Sequence, residues 1–186
     1  MGQAKIQPSR ARRTFNGWCH GLFAGQHFDR VLNLGCGHDV DRQGFTYSGY
    51  FDAVEVIKVD PEEHTTYQEY EQCICGGVGA YKNPVNITAK AEDLPFPENY
   101  FDMVFCNWVI YHTDYIKAIS EICRVLVPNG KLFVSYMDVE QYGPIYKAVL
   151  ESFDLIAYSY LHMDRELDGR DWVAEAIWGM RKEANV

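Results

Sequence analysis

No stretch of about 18 consecutive apolar residues occurs in this chain, so a membrane-spanning helix is not expected. The first residues lack the apolar core of a secretory leader, and no leader is expected there. Met1-Gly2 opens the chain, but Ile6 stands where a myristoylation signal needs Ser or Thr. Positive charge is scarce: 17 basic residues face 26 acidic ones, for a net charge of −9. That balance argues against a protein that tracks nucleic-acid phosphates. Lys5, Arg10, Arg12 and Arg13 precede the first acid, so the remaining 13 basic residues share the chain with all 26 acids. This basic arm reads either as a solvated terminus or as a flap over a site. Internal repeats and low-complexity linkers are absent.

Six cysteines are present, but Cys106 and Cys123 sit in apolar segments where a free thiol acts as a small hydrophobe. A reduced, intracellular and cytoplasmic setting is therefore expected rather than a disulfide framework. Cys73 and Cys75 with His64 make a poor metal set, because structural zinc sites separate paired cysteines by two to four residues. No metal is expected.

At 186 residues, 47% hydrophobic and 15% aromatic, the chain fits one globular domain. Its expected parts are an N-terminal arm and helix over 1–29, a ligand-binding core over 30–138, and a closing helix with edge strands over 139–186. Phe15, Trp18, Leu22 and Phe23 suggest a helix within 14–26. Strands are expected over 30–34, 53–59, 85–88, 101–108 and 131–137. A helix from Pro61 is expected to run to about Gln72. Another begins at an N-cap on Thr113, shows Tyr115, Ile116, Ile119, Cys123 and Leu126 inward, and ends near Val127 before Pro128-Asn129-Gly130. A last helix covers about 141–152, followed by strands over 153–162 and 172–182. Strands alternating with helices predict an α/β fold: a Rossmann-like, mostly parallel sheet of about seven strands with an antiparallel C-terminal hairpin. Ligands of such sheets bind beyond the carboxyl ends of the strands.

Val31-Leu32-Asn33-Leu34-Gly35-Cys36-Gly37 is an apolar strand running into a Gly-x-Gly turn, which lets a ligand approach the backbone. Asp60 closes the second strand, where an acid accepts hydrogen bonds from both hydroxyls of a ribose or else caps the helix starting at Pro61. A dinucleotide would want a third glycine at position 40, which is Val40, and would set its pyrophosphate beside Asp39 and Asp41. S-adenosylmethionine has a net positive charge, which an acidic rim attracts. Both sterics and charge favour the methyl donor.

With these motifs in place, the chain resembles the class I S-adenosylmethionine-dependent methyltransferases, and most closely their type 11 branch. Three further segments carry the resemblance: Val56-Ile57-Lys58-Val59-Asp60, Ala91 through Val104, and Arg124 through Leu132. The resemblance implies that Asn33, Gly35, Cys36, Gly37, Asp60, Pro61, Ala91, Glu92, Asp93, Asn107 and Trp108 hold S-adenosylmethionine. Asn33 and Lys90 stand where the family usually has acids, so Ala91, Glu92 and Asp93 are expected to serve the adenine. His112 and Asp138, beyond the fourth and fifth strands, are the candidate general bases; either could equally be a structural turn residue. The expected activity is methyl transfer to a small-molecule or saccharide-like acceptor. The alternatives are a non-catalytic methyltransferase-like module that binds the cofactor or a protein partner, and a nicotinamide oxidoreductase.

Overall fold

The computed structural model describes residues 21–36, 52–61, 87–137, 143–163 and 172–183. Seven strands form one sheet: β1 (His27–Leu34), β2 (Asp52–Asp60), β3 (Ile87–Thr88), β4 (Phe101–Asn107), β5 (Leu126–Met137), β6 (Phe153–Met163) and β7 (Trp172–Arg181). Their order across the sheet is β3-β2-β1-β4-β5-β7-β6. The first five strands are parallel, and β7 runs antiparallel to both β5 and β6. The expected closing hairpin is present, with its second strand inserted beside β5 and β6 left at the edge.

β4 is in the middle of the sheet, and five of its seven residues are buried, as its nearly unbroken apolar sequence requires. One face of the sheet presents Leu32, Leu34, Val104, Cys106, Val134 and Ile177 to two helices, α1 (Tyr115–Val125) and α2 (Gly143–Ser152). The other face presents Val31, Met103, Phe105, Phe133 and Trp178. Phe23, at the helical turn of residues 21–23, covers that second face and meets Phe105, Phe133 and Trp178 edge-on, with ring centroids 5.4 to 6.1 Å apart.

Several element boundaries differ from expectation. The N-cap of α1 is Asp114, whose carboxylate accepts from the Lys117 amide, whereas the Thr113 hydroxyl donates to the Ile110 carbonyl inside a short 3₁₀ turn over Ile110–His112. A competing local hydrogen bond thus takes Thr113 out of the capping position. The buried stripe of α1 is Ala118, Ile119, Ile122 and Val125, and Ile116 is 56% exposed. The helix stops at Val125 because Leu126 turns extended and pairs with Phe101, two residues ahead of the Pro128-Asn129-Gly130 signal. β1 begins three residues early, at His27, where it pairs with Asp52 of β2. The expected helix from Pro61, residues 85–86 and most of the 14–26 helix lie outside the described residues.

Candidate active site

Strand register builds the site. Leu34 pairs with Val59 on one side and with Cys106 on the other, so Gly35 stands level with Asp60 of β2 and Asn107 of β4. Asn107 in turn pairs with Ser135 of β5. Side chains alternate along strands. Leu34, Val59, Cys106 and Val134 belong to the helix-facing core, so Asp60, Asn107 and Ser135 point to the opposite face. Asp60, Asn107 and Ser135 thus form one polar row beside the Gly35 turn. Two residues below it, Lys58 and Asn33 pair on the same face, both buried.

The turn after β1 is tied down by its own backbone. The amides of Gly35 and Cys36 both donate to the Val59 carbonyl, at 2.7 and 3.1 Å. Neither amide is therefore aimed outward to cradle a phosphate, which disfavours a pyrophosphate ligand. Gly35 has φ +64°, and the space its missing Cβ would fill is taken by Val109. At this glycine the close approach is made by a protein side chain. Cys36 is buried. Gly37 lies outside the described residues, as do His64, Cys73, Cys75 and Asp138. Among the described residues no group of His, Cys, Asp and Glu is arranged to hold a metal ion.

Asp60 is 7% exposed, and its backbone carbonyl accepts the Ala89 amide at 3.1 Å. Pro61, next along, is exposed. Past β3, Lys90 and Asp93 form an isolated antiparallel bridge around a tight turn that buries Ala91 and exposes Asp93. The Glu92 carboxylate accepts the Asp114 amide at 2.9 Å, so one of its oxygens serves the entry of α1. At the end of β4, Asn107 Oδ1 accepts from the Ser135 hydroxyl, which leaves its Nδ2 amide without an acceptor among the described residues. Trp108 takes φ +64°, and its amide donates to the Ser135 carbonyl. A bulky residue in the left-handed region is uncommon and clusters at functional sites. The His112 amide donates to the Val109 carbonyl at 2.8 Å, while its exposed ring lies 4.1 Å from that of Tyr111.

The structure thus brings Gly35, Asp60, Asn107 and Trp108 to adjoining strand ends. Sequence reasoning missed Ser135 and Val109. It also missed Glu121 and Arg124, although their i, i+3 spacing on a helix was a readable sign.

A mostly parallel sheet of this order, closed by an antiparallel β7 and carrying an acid at the end of β2, defines the class I methyltransferase architecture. The sequence profile described as "Methyltransferase domain" matches residues 32–134, and the chain belongs to that family of S-adenosylmethionine-dependent methyltransferases. Among curated relatives, the ubiquinone/menaquinone biosynthesis C-methyltransferase UbiE of Chromobacterium violaceum is 35% identical over 100 residues, which is 50% of this chain and 38% of that protein. The chain thus spans about two-fifths of the length of the curated relatives it matches. Among solved structures, the N-methyltransferase NodS of Bradyrhizobium japonicum superposes with a TM-score of 0.68 at 11% identity, covering 96% of this chain and 100% of NodS. The [4+2]-cyclase SpnF gives the same TM-score at 14% identity, covering 99% of this chain and 86% of SpnF.

Proposed function

We propose that this chain transfers the methyl group of S-adenosylmethionine to a small-molecule or saccharide-like acceptor. The observation that carries the reading is the level row of Asp60, Gly35 and Asn107 across β2, β1 and β4. Asp60 accepts the two ribose hydroxyls, and Pro61 flanks that end. Asn33, Gly35, Cys36 and Gly37 form the wall for the amino-acid end. Ala91, Glu92 and Asp93 serve the adenine, with Asp93 the exposed carboxylate able to accept from its amino group. Asn107 offers its amide nitrogen, and Trp108 closes the transfer side. NodS has also been solved with S-adenosylhomocysteine, which supports the cofactor assignment by fold.

The bound cofactor supplies an activated methyl on a good leaving group. What remains for the protein is alignment and the exclusion of water. His112, or Asp138 beyond β5, takes the proton of a hydroxyl or amine acceptor where one must be lost. The small-molecule acceptor is read from the acidic balance of the chain, 26 acidic against 17 basic residues. Among the described residues no helix is long and apolar enough to cross a membrane. The free thiols of Cys36, Cys106 and Cys123 support a reduced, cytoplasmic setting. The division into an arm over 1–29, a cofactor core over 30–138 and a closing unit over 139–186 is part of this reading.

A second reading, a methyltransferase-like module without methyl transfer, draws on the engaged Glu92 carboxylate and on Lys90 where an acid is usual. That SpnF, a cyclase, has this fold shows that the architecture hosts other chemistry. Incubation with methyl-labelled S-adenosylmethionine and a panel of hydroxylated, amine and quinone acceptors separates the two. Label in any acceptor supports the transferase; tight binding of S-adenosylhomocysteine without label in any product supports the module.

A further inference from the structure

The segment from Ala91 to Phe96 bears the residues assigned to the adenine, yet among the described residues its only sheet-like pairing is the single Lys90–Asp93 bridge. It is held instead by side chains of α1. Arg124 donates through one terminal nitrogen to the Phe96 carbonyl at 2.7 Å and through the other to the Leu94 carbonyl at 2.9 Å. The Glu121 carboxylate accepts the Leu94 amide at 2.9 Å. The two side chains are joined to each other at 2.7 and 2.8 Å. At the other end of the helix, Glu92 accepts the Asp114 amide. Ala91, Leu94 and Phe96 are buried, so these backbone groups have no ready exchange with water.

We propose that Glu121 and Arg124 are positioning residues for the adenosyl group. The planar fork of Arg124 spans two carbonyls at once, and Glu121 takes the amide between them. The turn at Ala91–Asp93 is thereby tied to one rigid helix, through Leu94 and Phe96 just after it and through Glu92 within it. Lysine offers a compact point charge and cannot reproduce the fork. A loop so fixed presents its adenine-recognising groups in one geometry, and small displacements of such groups carry large penalties. This rests on the assignment of the adenine to Ala91–Asp93 made above.

The test compares S-adenosylhomocysteine with S-inosylhomocysteine, in which the 6-amino donor of the base is replaced by an oxo group, on wild type, Arg124→Ala, Arg124→Lys and Glu121→Gln. Wild type is expected to prefer the adenosyl compound. In Arg124→Ala that preference narrows about tenfold. Arg124→Lys falls between. If Arg124→Ala does not fold, Arg124→Lys and Glu121→Gln carry the comparison. A purely structural pair would lower the melting temperature and leave the adenosyl-to-inosyl ratio where it was; that outcome overturns the proposal. Wild type that binds neither compound, or both equally, overturns it together with the adenine assignment, whereas a wild-type preference left untouched in every variant overturns the positioning role alone.

Discussion

Val109 lies directly over Gly35: a Cβ built on the glycine would stand 2.2 Å from Val109 Cγ2, and the glycine itself has φ +64°. The contact joins the ends of β1 and β4, the two central strands of the site. Gly35→Ala therefore meets both overpacking and a strained backbone, together costing about 2–4 kcal/mol. Urea denaturation measures it. Adding Val109→Ala relieves the crowding but not the φ, so the double variant recovers only part of the loss. Full recovery would show that φ has no role at this position.

Phe23 packs against three aromatic rings on the face that α1 and α2 leave open. Phe23→Ala is expected to destabilise the fold by about 3–5 kcal/mol. Calorimetric or chemical unfolding would show it; a loss below about 1 kcal/mol would mean that the second face has another cover.

Hydrogen bonds from Arg124 hold the Glu121 carboxyl below its ordinary value of 4.5. The folded state thus binds this proton less readily than the unfolded chain does. The resulting stabilisation is complete above pH 4.5 and disappears as pH falls through the lowered native value. Glu121→Gln should accordingly reduce stability near pH 7 and flatten its decline in acid. Parallel acid slopes in unfolding midpoints would contradict this.

Burial pushes the Cys106 thiol up to about 12. At pH 8 it is protonated and unreactive. Alkylation followed by mass mapping should modify the partly exposed Cys123 in the native protein and Cys106 only after unfolding. Equal rates for the two would place Cys106 in contact with solvent.

The architecture was legible because its signals are local. Leu32 and Leu34 lie in one strand, Asp60 ends another, and Phe101 to Cys106 is apolar enough to sit between two neighbours. The closing pair was readable from two runs without a helix between them. Less could be read where a competing local bond or a partner distant in sequence decides. Thr113 and Asp114 are both good caps, and only the bond from Thr113 to the Ile110 carbonyl decides between them. Nothing local reveals that the Asp114 amide, 22 positions on, donates to one oxygen of the Glu92 carboxylate. Nor does anything local reveal that Val109, 74 residues away, packs on Gly35. The stripe of α1 was misjudged at Ile116, since Ala118 and Ile122 turn the helix to a neighbouring face.

The central claim is that Asp60, at the tip of β2 beside Gly35, grips the ribose of an adenosyl cofactor. Isothermal titration of S-adenosylhomocysteine into wild type and Asp60→Ala tests it most directly, with thermal unfolding of both as a check on folding. Wild type should bind with measurable heat. The variant, folded, should bind at least about 30-fold more weakly, since hydrogen bonds to a charged acceptor contribute about 1.5–3 kcal/mol each. Binding of equal strength by the two proteins, or no heat from wild type at millimolar ligand, would contradict the account.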